Sequence, residues 1–189
     1  MALRLNGSSS GYVELDVPAA AGSHTLTLPD GGGSSGQVLS TNGSGALSWV
    51  QGGRILQVVQ AVSTVQVDSS TSIYADTGLT ASITPSSAVN KILVLACQNG
   101  IYKDTNSTAL LLKLVRGSTD LLLIEDGATF TGTSATIAVG GVSATYLDSP
   151  STISSVTYKL QFASSLNVTK VRINVNSSAS TLTLMEVAA

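Results

Sequence analysis

Ser155-Val-Thr-Tyr-Lys-Leu-Gln-Phe-Ala163 alternates at every step, with Val156, Tyr158, Leu160 and Phe162 on one side and Thr157, Lys159 and Gln161 on the other. A period of two sends successive side chains to opposite faces of an extended chain, so this stretch is a strand with one face in a core. Working outward, comparable runs bounded by Ser, Thr, Asn and Gly recur at Arg54 to Val67, Ser72 to Ala75, Leu79 to Thr84, Lys91 to Cys97, Ala109 to Arg116, Asp120 to Glu125, Thr136 to Val139, Ser143 to Leu147, Lys170 to Asn176 and Thr181 to Val187. Many short strands with turn signals between them indicate a β-sandwich or jelly roll. Arg116-Gly-Ser-Thr119 joins two apolar runs as a tight hairpin. Leu110-Leu-Leu-Lys-Leu-Val115 and Leu121-Leu-Leu-Ile124 are nearly continuous apolar strings whose shortness and tight connection favour strands over helix. Almost no α-helix is expected.

The N-terminal stretch reads differently. Gly11-Tyr-Val-Glu-Leu-Asp-Val-Pro18, His24-Thr-Leu-Thr-Leu-Pro29, Gln37-Val-Leu-Ser40 and Ala46-Leu-Ser-Trp-Val50 are small strands separated by glycine turns such as Asp30-Gly-Gly-Gly-Ser-Ser-Gly36. Ordering a residue costs on the order of 1.5 kcal/mol, and so few large apolar side chains return too little at about 25 cal/mol per Å². This segment is expected to fold only against copies of itself or another surface. Gln51-Gly-Gly53 breaks the pattern, which gives a small β module over residues 1–52 and a β-sandwich knob over residues 53–189. The last run ends two residues before Ala189 and is naturally a central strand. In a trimer it would line the subunit contact, through Leu182, Leu184, Met185 and Val187.

Composition excludes several function classes. Of the 189 residues, 11% are charged and 43% hydrophobic, and the net charge is -2. The nine Lys and Arg are scattered singly, whereas reading a phosphate backbone takes clustered cations, so no nucleic-acid partner is expected. No apolar run approaches about 18 residues, so no membrane span is expected, and the N-terminus lacks the apolar stretch of a secretory signal. The single Cys97 reads as a small buried hydrophobe, in keeping with folding in a reducing cytoplasm.

Chemistry finds little to work with. A Ser-His-Asp mechanism needs an imidazole, and the single histidine, His24, sits in the thin N-terminal segment without a pocket. Tetrahedral zinc usually takes four N or S ligands, which one His and one Cys cannot supply. Asp30-Gly-Gly-Gly-Ser-Ser-Gly36 lacks the Gly-Lys-Ser/Thr tail and following helix of a phosphate cradle. An enzyme working through carboxylates would need a cleft-facing pair among Asp104, Glu125, Asp126 and Asp148. The simpler reading is that Glu125-Asp126-Gly127 ends a strand. No catalytic residue, cofactor or metal site is therefore assigned. An aromatic beside polar groups suits a sugar ring, which makes Tyr102, Lys103 and Asp104 the candidate receptor or glycan contact.

The stretch from Gly11 to Pro29, running into Gly36-Gln-Val-Leu-Ser-Thr-Asn-Gly-Ser-Gly-Ala-Leu-Ser-Trp49, resembles a module of tail-fibre-like proteins of marine phages, particularly those infecting cyanobacteria. The Gly-Gln-Val-Leu, Asn-Gly and Leu-Ser-Trp elements carry the likeness. The second domain resembles the C-terminal knobs of that family through Lys91-Ile-Leu-Val-Leu, Leu114-Val-Arg-Gly-Ser118, Asp148-Ser-Pro150, Tyr158-Lys-Leu-Gln-Phe and Leu182-Thr-Leu-Met-Glu186. The resemblance implies a homotrimer with a jelly-roll knob of the TNF/C1q type that points outwards. It also implies an N-terminal part that docks on other virion proteins, a place on the virion after synthesis in the bacterial host, and a host-surface glycan or protein as receptor. The long repetitive shaft of a reaching fibre is missing, so the expectation divides between a short trimeric tail appendage for host attachment and a capsid decoration protein that binds no receptor.

Overall fold

The computed structural model describes residues 3–6, 8–15, 22–23, 25–128, 130–133 and 138–189. The chain divides between Gly52 and Gly53 into two compact units. In the first, β1 (Leu3–Asn6) pairs antiparallel with β2 (Tyr12–Leu15), and β3 (Gln37–Thr41) with β4 (Leu47–Gln51). The run predicted from His24 to Pro29 contributes one bridge, Thr27 to Ala46, and His24 itself lies outside the described residues. Trp49 Nε1 donates to the Gly31 carbonyl at 2.9 Å and its ring covers Gly33, where a Cβ would lie 2.6 Å from Trp49 Cδ2. Among the residues of this unit whose burial is described, none is buried. Leu26 and Leu28 are 65% and 72% exposed.

The second unit is a sandwich of two antiparallel sheets. One has the order β10 (Thr119–Ala128), β9 (Leu110–Arg116), β12 (Val156–Ser164), β7 (Ala75–Ile83). The other contains β5 (Ile55–Ser63), β6 (Val67–Ser69), β8 (Lys91–Lys103), β11 (Ala138–Asp148), β13 (Val171–Ile173) and β14 (Ser180–Val187). β11 takes one edge of β8, while β13 and β14 lie one after the other along its opposite edge. β6 and β5 pair with them in turn. Taking β5 with β6 and β13 with β14 as interrupted strands, each sheet has four positions, the arrangement of a jelly roll. A three-residue 3₁₀ turn at Val175–Ser177 is the single helical element among the described residues.

The alternation that decides the fold holds in detail. Tyr158, Leu160 and Phe162 are fully buried, with Leu79, Ile83, Leu110, Leu112 and Leu114 beside them and Ile92, Val94, Ile173, Leu182 and Leu184 opposite. Truncating such a side chain to Ala typically costs about 2–5 kcal/mol. β14 is hydrogen-bonded on both sides, to β5 and β8, as expected of a central strand. Two expected strands are shorter than the sequence suggested. Ser72 and Ile73 form bends before β7, and the run from Lys170 stops at Ile173 because the chain turns left-handed at Asn174.

Buried carboxylates clamp the end of the sandwich where the chain enters and leaves. Glu186 on β14 is fully buried and accepts from Asn90 Nδ2 and Gln57 Nε2 at 2.6 Å each, and from Ser86 N and Oγ at 2.7 Å each. Burial alone would raise its pKa, but the donors of Asn90, Gln57 and Ser86 outweigh that and hold it at about 2, below the ordinary 4.5. On the other side, buried Asp148 accepts from Tyr158 Oη at 2.6 Å and pairs with Arg116 Nη1 at 2.5 Å, tying β11 to the facing sheet. Burial first, and the Asp148 bond second, push the Tyr158 phenol far above its usual range.

The stabilisation from Glu186 is fully present above its unfolded pKa near 4.5 and is lost as pH falls through about 2. Glu186→Gln sets an amide against the same donors and costs about 2 kcal/mol near neutral pH. Urea denaturation across this acid range is expected to show the gap between the two proteins closing as pH falls.

Candidate functional site

The two sheets turn very different surfaces outwards. On the β10-β9-β12-β7 sheet the outer positions carry paired polar groups. Lys113 bonds both oxygens of Asp120 at 2.9 Å and lies 4.3 Å above the Tyr74 ring, while Asp76 accepts from Lys159 at 3.0 Å and Gln161 at 2.7 Å. The Gln161 bond, with Lys159 next, holds the Asp76 carboxyl below its usual pKa. Leu123, 57% exposed, shares this face opposite Lys113.

The outer face of the other sheet carries no ion pair near the chain ends among the described residues, its one polar pair there being Gln60 Nε2 donating to Thr183 Oγ1 at 2.8 Å. Register places Val58, Gln60 and Val62 of β5 beside Met185, Thr183 and Thr181 of β14, then Leu93, Leu95 and Cys97 of β8, then Leu147, Thr145 and Ser143 of β11. None of these twelve side chains is charged. Val58, Val62 and Leu147 are 57%, 58% and 50% exposed. Cys97, expected in the core, is on this face and only partly buried. Period two decides this, because its neighbours Ala96 and Gln98 take the inward positions.

Farther along β8 the same sheet breaks across all four strand positions. β5 gives way to β6 between Ser63 and Val67, β13 to β14 between Ile173 and Ser180, β8 turns at Gly100, and β11 shifts register between Ala138 and Val142. Asn174, Asn176 and Ser177 all have positive φ. A Cβ on Gly100 would sit 2.7 Å from Val175 N and 2.9 Å from Asn174 Cα, and one on Gly141 2.2 Å from Asn99 Oδ1, so only glycine admits these neighbours. A depression of about 440 Å³ opens here, lined by Asn99, Gly100, Ile101, Gly140, Gly141, Val175, Asn176, Ser178 and Ala179. A buried amide network holds its walls. Gln98 Nε2 donates to Asn174 Oδ1 and Ser180 Oγ at 2.8 Å each, Ser180 Oγ to Asn174 Oδ1 at 2.5 Å, and Asn99 Nδ2 to the Ala179 carbonyl at 2.7 Å.

Beyond the break, the sequence-predicted contact residues are distributed by strand geometry. Lys103 is 1% exposed and donates to Thr131, so it points inward and offers no charge to a receptor. Tyr102 and Asp104 do come together on the outer face, but around Arg172, whose guanidinium lies 4.9 Å from the Tyr102 ring centre and 2.9 Å from Asp104 Oδ2. Arg172 Nε is also 3.7 Å from Asp68 Oδ2, and Lys170 Nζ is 3.4 Å from the same oxygen. These groups pair with one another, although Arg172 Nε has no hydrogen-bond acceptor, and the aromatic ring is already capped by a cation.

No protein-family model and no curated protein matches the chain. Among solved structures it is similar to a chain of infectious bursal virus-derived T=1 particles, with 10% identity and a TM-score of 0.40 over 98% of this chain and 44% of that one. It is also similar to a chain of the T13 IBDV viral particle, with 11% identity and a TM-score of 0.42 over 95% and 42% of the two chains. A chain of infectious bursal disease virus Gx strain aligns with 13% identity and a TM-score of 0.40 over 97% and 46%. The chain spans less than half the length of each of these matches. Superpositions this loose decide neither fold nor role, and the sandwich assignment rests on the strand order itself.

Two interface residues expected from the sequence are corrected. Leu182 and Leu184 are fully buried between the sheets, since their register pairs them with core positions Ala96 and Val94, and cannot meet another subunit. Met185 and Val187 do face outwards. Among the carboxylates weighed as an acid and base pair, Asp148 is spent on Arg116 and Tyr158, and Asp104 on Arg172. Among the described residues, no three His, Cys, Asp or Glu side chains gather as metal ligands. Sequence reading missed the depression, whose signals were the isolated glycines Gly100 and Gly140-Gly141 and the Asn174-Val-Asn176 step that ends a β run.

Gly100→Ala is expected to destabilise the protein by at least about 2 kcal/mol, because it adds strain at positive φ to a backbone overlap. Denaturation midpoints check the size. Amide exchange at residues 174–180 should rise first.

Proposed function

We propose that the chain is a virion structural protein, a short trimeric tail-fibre-like appendage that takes part in host attachment. The observation that carries this reading is the outer face of β5, β14, β8 and β11, where twelve neighbouring side chains carry no charge and Lys91 lies only at the rim, set against a facing sheet whose outer positions include the Lys113–Asp120 and Lys159–Asp76 pairs. A soluble sandwich has no reason to leave Val58, Val62, Leu93, Leu95, Met185 and Leu147 together in water, and a patch of this kind marks an interaction surface. The first unit needs cover for a separate reason, since none of its residues whose burial is described is buried and Leu26 and Leu28 are exposed. A second copy of the same chain satisfies both requirements at once, and closed rotational symmetry makes the contact finite. The resemblance of the N-terminal stretch to phage fibre modules supplies the number three and the place on the virion. Low charge also suits a contact between like chains, because copies with a net charge of -2 meet through a patch whose twelve central side chains carry none of it.

Light scattering on the full chain is expected to return three times the 19.1 kDa chain mass. Val58→Asp combined with Leu95→Asp places desolvated charge in the contact and should yield a monomer of unchanged circular dichroism. A monomeric parent protein would sink the trimer. The attachment role has its own test: purified protein should bind marine cyanobacterial cells and compete with phage adsorption, whereas binding to capsids without binding to any cell would establish decoration instead.

A further inference from the structure

The depression at the break of the second sheet is built from unusual materials. Its polar side chains are Asn99, Asn176 and Ser178, its apolar ones are Ile101, Val175 and Ala179, and Gly100, Gly140 and Gly141 expose backbone. No lining residue is charged. Its volume falls in the range of about 300–1,000 Å³ usual for small-ligand sites. The lining is preorganised, because Asn99 is fixed through Ser180 Oγ and the Ala179 carbonyl, and Ser178 Oγ donates to the Val175 carbonyl at 2.8 Å.

Within that rigid frame some hydrogen-bonding capacity is left over. Asn176 is exposed, is held at φ 57° and takes no side-chain hydrogen bond among the described residues. Gly140 has nothing within 4 Å of where a Cβ would stand, so its backbone is accessible. Holding several non-glycine residues left-handed costs of order 1–3 kcal/mol each, and such strain concentrates where a binding geometry is fixed in advance.

We propose that this depression is a subsite for one uncharged sugar unit, of the N-acetylhexosamine class. Amides and hydroxyls without charge match neutral hydroxyls and an acetamido group, while Val175 and Ala179 give its methyl an apolar seat. A uronic or sialic acid finds no cation in the lining to pair its carboxylate and is discriminated against on desolvation grounds. The inference rests on the attachment reading for its biological setting, but the chemistry is testable without any cell.

Saturation-transfer NMR on the full chain with free N-acetylglucosamine, and with glucuronic acid as the charged control, tests it. Transfer to the acetamido methyl of N-acetylglucosamine is expected, with little to glucuronic acid. Ala179→Trp fills the depression and should weaken the sugar by about tenfold or more. Val89→Trp, on a remote exposed loop, should leave it unchanged. Absence of transfer to N-acetylglucosamine, or transfer indifferent to Ala179→Trp in a variant with parental circular dichroism, overturns the subsite. Cell adsorption surviving that result would leave the attachment reading standing, and sugar binding without cell adsorption would do the reverse.

Discussion

Everything in the second unit depends on β14 lying between β5 and β8. Its two ladders join the first strand of the unit to the long central one, and its inward side chains Leu182 and Leu184 complete the core against β12. Pairing the last strand with the first closes the sheet only after the whole unit has been made, so formation of the core is a long-range, cooperative event. Glu186 sits on the same strand at the chain-end side of the sandwich. Its four neutral donors come from β5 and the β7–β8 connection, which makes one buried carboxylate the tie between both termini of the unit and its neighbouring loop.

A second consequence concerns the outer surfaces. Because the strands alternate between bulges, filling the core fixes what is left to face outwards. The β10-β9-β12-β7 sheet is left with Lys113, Asp120, Lys159 and Asp76 in mutual contact. The sheet built on β14 is left mainly with aliphatic side chains and threonines, with Lys91 at its rim, and its paired charges lie beyond the break, around Arg172. The break therefore separates an uncharged area suited to a copy of the chain from a self-paired polar area, with a neutral depression where they meet.

The fold class was legible because alternation is a local property. Val156 to Phe162, the Arg116-Gly-Ser-Thr119 hairpin and the polar punctuation between runs each report the strand pattern without reference to any other part of the chain. The site was much less legible. Lys103 looked available beside Tyr102 and Asp104, yet the turn at Gly100 shifts the phase of β8 so that Ile101 and Lys103 point inward and Tyr102 outward. Leu182 and Leu184 looked suited to a subunit contact for the same reason that they suit a core, and apolarity does not say which side of a sheet a residue faces.

The sequence by itself determined that this is an all-β chain with a glycine-punctuated N-terminal module and a sandwich beginning at Gly53, because strand periodicity and turn chemistry act over a few residues. Only the tertiary structure decided that the uncharged side chains of β5, β14, β8 and β11 share one face, that Gln98, Asn174 and Ser180 meet, and that Glu186 is a clamp. Those juxtapositions join positions up to a hundred or more residues apart, and their register is set by the packing of the whole core.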